Sequence, residues 1–437
     1  NGSTIIRVNA RNGEPGGGGS HRRPMALTEA SNVLVTIPNL PMGVTFGGVD
    51  QAAWACALTT DAAGTTKTLQ CSLPDLAEGA ATTADITLNL DATVTALALT
   101  PTISADGADP YVADTPLSVP VTQIANSIGV FQDTGDLIVI GNASVTCDDV
   151  ASATCADARD ADLPLTANPS LNRQDQPMVL LGADAGAGVT NASSATLTLP
   201  QGATVAKAYL VWGGLSDVML PPTAQPAELA VLVGSATVST GGLGATVLAS
   251  NVARLEGNVY SAWKDVTSSF TSLSGTVEIT VSNLHLAATT ASFGGWSLIV
   301  VTHDTTQPER LMVVSLPNAS FSTPATKFTA SIPFAGSANS TEATVGIVAL
   351  EGDRGRIGDY LDVGSGRVGN AFNGAVTGGR TPSYKNNFGF DLTLHSTSIT
   401  AGDTPETDRV VQIEAGVDGA SGDLVRLIAI TYAITLD

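Results

Sequence analysis

The sequence predicts an all-β protein built as two β-sandwich domains, and three observations carry that prediction. Helical periodicity is almost absent along the 437 residues. Val, Ile, Thr and Leu recur in short runs of strand length, and Gly, Pro, Asn and Asp punctuate the gaps between them. Strands this numerous, at short spacings with turn signals between, belong to sandwiches or jelly rolls.

The elements follow in order. Residues 3–10 (STIIRVNA) alternate apolar and polar side chains like a half-buried strand and run into the turn-forming Asn12-Gly13-Glu14-Pro15. Residues 13–24 (GEPGGGGSHRRP) have the composition of a flexible loop, and residues 31–37 (SNVLVTI) resume as a second strand. Further along, the clearest runs are 203–212 (ATVAKAYLVW), 229–233, 275–281, 296–302 (WSLIVVT), 311–316, 344–350, 387–394, 409–414 and 424–436. A strand end marked by Pro116 and Pro120 gives way to a fresh start at Ile128-Gly129-Val130-Phe131, which sets the domains at 1–125 and 126–437. Residues 146–176, rich in Asp, Ala and Asn, read as one long loop.

Composition excludes several classes. At 43% hydrophobic the chain is globular, and no apolar run reaches the roughly 18 residues of a membrane helix, so no membrane span is predicted. A net charge of −21 argues against nucleic acid and anionic membrane surfaces as partners, and suits divalent cations. The start at Asn1, without a leader, reads as a trimmed or processed chain.

The four cysteines fall into two local pairs, Cys56 with Cys71 and Cys147 with Cys155. Disulfides within each pair are the simplest framework for an exported protein. A structural metal site is the rival, opposed by the cysteine spacing and by histidines that lie elsewhere; buried free thiols are the bland alternative. Trp54, two residues before Cys56, is placed against the first pair.

Two resemblances set an expectation of place and function. The strings LPMGVTF (40–46), Trp54-Ala55-Cys56, Leu69-Gln70-Cys71-Ser72-Leu73, Leu76-Ala77-Glu78-Gly79 and ADITLN (84–89) resemble the "conserved repeat" immunoglobulin-like module of large bacterial surface proteins, here without the strand that normally leads it. The strings AYLVWGG, YSAWKDVTSSF, GGWSLIVVTHDTTQPERLMVV, VGIVALEGDRGRIGDYLDV, NNFGFDL and VRLIAITYAIT are similar to the large β-sandwich of unknown function found beside such modules. The resemblance implies an immunoglobulin-like module and a larger, jelly-roll-like sandwich, both exposed outside the cell, and it assigns no catalytic residue. In the resembling proteins the large sandwich generally precedes the repeats and the chain runs on from its last strand. Here the order is reversed, so both ends read as interrupted sandwiches.

Chemistry is sparsely signalled. Carboxylates that converge in a loop can hold Ca²⁺, and Asp148, Asp149, Asp157, Asp160 and Asp162, clustered around the second cysteine pair, are the calcium candidates against a plain solvated loop. The acidic string 351–362 (EGDRGRIGDYLD) carries Arg354 and Arg356, which favour ion pairing over metal binding. No nucleophile elbow occurs, and Ser297 lies inside a strand. His303-Asp304 reads as a turn contact and not as part of a triad. Trp212, Trp263 and Trp296 are assigned to the core and not to sugar stacking. Lys207 is the one candidate for an isopeptide cross-link, and Asn142, Asn191, Asn318 and Asn339 stand in N-x-S/T contexts.

The function expected is therefore an extracellular structural protein of the bacterial surface, not an enzyme, whose partners are copies of itself in a filament or layer. Its assembly strands are Ile428, Ile430, Tyr432 and Ile434 at one end, or Ile5, Ile6 and Val8 at the other, completing a neighbour's sandwich. The alternative is a calcium-dependent adhesin that holds a glycan or a protein.

Overall fold

The computed structural model describes residues 2–11, 30–49, 53–76, 81–90, 96–99, 101–106, 111–112, 117–120, 127–161, 176–182, 189–216, 228–233, 236–239, 246–254, 257–334, 340–354, 356–364, 366–400, 409–418 and 424–436. The predicted glycine-rich segment 13–24, Asp162 and Asn339 lie outside these residues. The chain is all-β and divides into two compact units, Asn1–Phe131 and Gln132–Asp437. The strand Ser127–Thr134 carries the chain from one into the other, a few residues beyond the predicted boundary.

In the first unit the strand Ala30–Pro41 lies between Thr66–Leu76 and Thr102–Asp106 in a five-stranded sheet. Its alternate residues Val33, Val35 and Ile37 are buried, as the period-two pattern requires. They share a core with Trp54, Leu69, Cys71, Ile86 and Leu88. The strand Gly2–Arg11 is the edge of a three-stranded sheet and pairs antiparallel with Ala81–Leu90, Ile5 opposite Thr87, Ile6 opposite Ile86 and Val8 opposite Ala84.

The second unit is layered around a five-stranded sheet containing Leu137–Ala143, Gly294–His303, Thr204–Ser216 and Gly257–Asp265. Its central strands are buried residue after residue over most of their length because both faces are covered. On one face Trp212, Trp296, Leu210 and Leu298 pack with Leu197, Val277, Ile279 and Val281 of another five-stranded sheet, whose strands alternate buried and open residues. On the other face, a Cβ at Gly141 would lie 2.8 Å from the Leu392 side chain, and one at Gly295 would lie 2.8 Å from the Phe390 ring. Glycine at these two positions lets the central sheet approach the six-stranded sheet that carries Phe390–Thr400.

That six-stranded sheet holds one of the two assembly strands expected from the sequence. The strand Val425–Thr435 pairs on one side with Glu309–Ser315 and Ala319–Phe321, and on the other with Ser340–Leu350. Ile428, Ile430, Tyr432 and Ile434 are buried in their own chain. In the single chain this strand therefore has neighbours on both edges and these side chains in the core. Gly2–Arg11, the competing donor, is likewise paired within its own chain.

Candidate functional site

Both predicted disulfides form. Cys56 and Cys71 face each other on adjacent antiparallel strands with Cα atoms 4.0 Å apart, and Trp54 shares their core. Cys147 closes on Cys155 with Cα atoms 5.6 Å apart. The segment read as one long loop contains the short strand Val145–Cys147, paired with Met178–Leu180, and a six-residue helix, Cys155–Asp160. So short a helix is marginal by itself; the disulfide fixes its first residue.

Of the carboxylates placed there as calcium ligands, the described ones, Asp148, Asp149, Asp157 and Asp160, do not come together with a third ligand. Asp148 Oδ1 accepts the backbone N–H groups of Val150 at 2.8 Å and Ala151 at 3.2 Å, and Asp149 pairs with Arg159. Asp157 and Asp160 are exposed on the helix. These groups serve the turn and the solvent, which local sequence clustering does not distinguish from convergence. Among the described residues no three His, Cys, Asp or Glu side chains gather in a way that could hold a metal ion.

Three distant segments instead meet around this helix. Asn386 donates its side-chain amide to the Ala158 carbonyl at 3.0 Å, and its backbone N–H to the Arg159 carbonyl at 3.0 Å. Arg354 donates through Nε to the Ala161 carbonyl at 2.6 Å and through Nη1 to the Lys385 carbonyl at 2.9 Å. The helix C-terminal carbonyls, which lack partners within the helix, are satisfied from the acidic string and from the 384–387 turn. Arg159 in turn lies over the Tyr384 ring and bonds Thr146 and Cys147.

The acidic string itself divides. Asp353 pairs with Arg356 at 3.4 Å, as arginine in such a string favours, whereas Asp362 pairs at 2.7 Å with Arg367 from outside the string and Arg354 turns to backbone carbonyls. Asp359 behaves differently. It is buried, its Oδ1 accepts the Phe372 N–H at 2.8 Å, and burial pushes its carboxyl up to about 6. Asp391, fully buried, accepts the Gly374 N–H at 2.6 Å and the Ala375 N–H at 3.3 Å. Burial, followed by the neighbouring Asp359 carboxylate, holds it well above the usual carboxylate range. In each case Oδ2 accepts no hydrogen bond, and the same is true of the buried Oδ1 atoms of Asn370 and Asn373. Sequence reasoning passed over Asp391; its one signal is a lone acid inside the apolar string NNFGFDL.

Ser297 is fully buried. His303 Nδ1 is 2.9 Å from Asp133, whereas Asp304 accepts from Thr306 in a turn. Trp212 and Trp296 are buried opposite each other, but Trp263 is only half-buried, edge-on to Tyr209. Lys207 is partly exposed, 3.6 Å from Asp265, which removes the burial that an isopeptide bond would need. Asn142 and Asn191 are buried and use their side-chain amides on backbone carbonyls, so those two sequons are closed to glycan in the folded chain.

No family model and no curated protein sequence matches this chain. Among solved structures, a peptide-N(4)-(N-acetyl-β-D-glucosaminyl) asparagine amidase is similar at 11% identity over 58% of this chain and 92% of its own, with a TM-score of 0.21. The dimeric latent PorU from Porphyromonas gingivalis is similar at 8% identity over 99% of this chain and 32% of its own, TM-score 0.18. A chain of the Sulfolobus Turreted Icosahedral Virus is similar at 9% identity over 99% and 83%, TM-score 0.16. Likenesses this low carry no argument about function.

Proposed function

We propose that this chain is an extracellular structural protein of the bacterial cell surface, a building block of a filament or layer and not an enzyme. The observation that carries this reading is the presence of one disulfide in each of two all-β units. Such staples persist in oxidising compartments. Among the described residues no helix is long and apolar enough to cross a membrane, which fits an exported chain without bearing on strand-built spans. The resemblance to surface-protein modules supplies the bacterial envelope.

Assembly in this reading uses sheet edges, because the end strands are employed at home. Phe390–Thr400 ends the strand order of the six-stranded sheet among the described residues; Ala375 and Thr377 bond Leu392 on its outer side, and Leu394, just beyond them, is 41% exposed. Unpaired edge groups beside an apolar side chain accept a strand from another copy. Electron micrographs of the purified protein should show repeating filaments or sheets, and Leu394→Lys should disperse them. Monomers at every concentration, for parent and variant alike, would remove the proposal. The second reading, a calcium-dependent adhesin, is favoured by the unpartnered oxygens around Asp359 and Asp391; it predicts dispersed monomers whose binding to a glycan or protein array is abolished by chelator.

A further inference from the structure

The two carboxylates Asp359 and Asp391 raise a question of charge balance. Both are buried, at 2% and 0% exposure, and the Asp359 carboxylate acts electrostatically on Asp391. Other acids of the second unit have cationic partners: Asp353 has Arg356, Asp362 and Asp418 share Arg367, and Glu414 has Lys327. The groups that act on Asp359 and Asp391 are backbone N–H groups, those of residues 371–375 and of Asp359 itself, and, for Asp391, the other carboxylate; the buried Arg354 guanidinium bonds the Asn373 carbonyl of the same segment at 3.4 Å. Burying two like charges without a counter-charge is strongly unfavourable, so something positive must accompany the ionised pair.

One short segment straps both acids together. Asn370 donates its backbone N–H to the Asp359 carbonyl at 2.7 Å, Phe372 to Asp359 Oδ1 and Gly374 to Asp391 Oδ1. Asn373 Nδ2 folds back onto the Asn370 carbonyl at 2.7 Å. The oxygens left over are Asp359 Oδ2, Asp391 Oδ2, Asn370 Oδ1 and Asn373 Oδ1, all buried and all without a donor. A Cβ at Gly352 would meet both Asp391 Oδ2 and the Phe372 carbonyl oxygen, which puts two acceptors over the same bare Cα. Four buried side-chain oxygens without a donor, two of them on carboxylates, have the chemistry of a hard-cation site; the Arg354 guanidinium beside them spends Nη1 on the Asn373 and Lys385 carbonyls. Calcium draws its oxygen ligands from carboxylates, Asn side chains, backbone carbonyls and water.

We propose that Asp359 and Asp391, completed by the side-chain oxygens of Asn370 and Asn373 and the Phe372 carbonyl, form a site for one divalent cation of the calcium class. The site is separate from the Asp148–Asp160 turn, which uses its carboxylates on backbone and arginine. It ties Phe390–Thr400, through Asp391, to the acidic string and so fastens one end of the six-stranded sheet. The competing occupant is a single proton shared by the pair.

Equilibrium dialysis of the full chain against Ca²⁺ near neutral pH, after removal of metal by chelator, separates these. The parent should bind one ion, and Asp359→Asn and Asp391→Asn should each lose affinity by at least about tenfold, with Asp148→Asn unchanged. Chelator should lower the melting temperature of the parent and of Asp148→Asn but not of the Asp391 variant. Circular dichroism checks that the variants fold; Asp391→Asn keeps an acceptor for Gly374 and gains a donor for the Phe372 carbonyl, and Asp359→Asn serves if it does not. The proposal is overturned if the parent binds no Ca²⁺, which leaves the shared proton, or if both variants bind as the parent does.

Discussion

Arg354 reaches across 193 residues of sequence to donate a 2.6 Å hydrogen bond to the carbonyl of Ala161, just past the disulfide-stapled helix. The same guanidinium holds the Lys385 carbonyl. Arg354→Ala would strip buried carbonyls of their donor and is expected to cost about 2–4 kcal/mol. Faster hydrogen exchange at the Ala158 amide, which donates to Thr154, reports the loosened helix. Unchanged exchange there would mean that the disulfide alone holds it.

The second staple can be tested by itself. Cys147→Ser with Cys155→Ser opens a link of sequence separation 8, and the loop-entropy relation puts the loss on the order of 2–3 kcal/mol. Urea unfolding of the double variant against the parent measures it, and a null result would place the stability of this segment in Arg354 and Asn386.

The buried acids predict an unusual pH dependence. Burial raises Asp359 from 3.8 to about 6, and Asp391 lies higher than an ordinary carboxyl. The native state therefore holds these protons more tightly than the unfolded chain. In metal-free buffer, stability is greatest below the unfolded value and falls as pH rises through about 6. The Asp359 share is roughly 3 kcal/mol, and Asp359→Asn should flatten that part of the profile. A parent whose urea midpoint rises across this window would contradict the assignment.

Gly352 is held bare by its neighbours. A Cβ there would strike the Asp391 carboxylate and the Phe372 carbonyl, so Gly352→Ala is expected to cost about 1–3 kcal/mol by overpacking. The melting temperature measures it, and added Ca²⁺ should rescue the variant less than it stabilises the parent.

Ile430 decides between a core strand and a donated one. It is fully buried in its own chain, and Ile430→Ala should destabilise dilute monomer by about 2–5 kcal/mol. If the strand belonged to a neighbour, dilute protein would melt as the parent does.

The fold class, the short strands and both disulfides were legible in the sequence because they are local properties. Alternation reports that a strand has a buried face, and cysteines such as Cys147 and Cys155, 8 residues apart, need only a turn to meet. What alternation does not report is which edges a strand has filled. The apolar run ending in Ile434 reads equally as a free end and as the central strand it is, because side-chain pattern registers burial and not the identity of the hydrogen-bonded neighbour. The acids show the same divide. Asp148, Asp149, Asp157 and Asp160 crowd together in sequence but turn to backbone, arginine and water. Asp359 and Asp391, some thirty residues apart, are made neighbours only by the strap of residues 370–375, since the loop's backbone N–H groups need acceptors and these two carboxylates supply them.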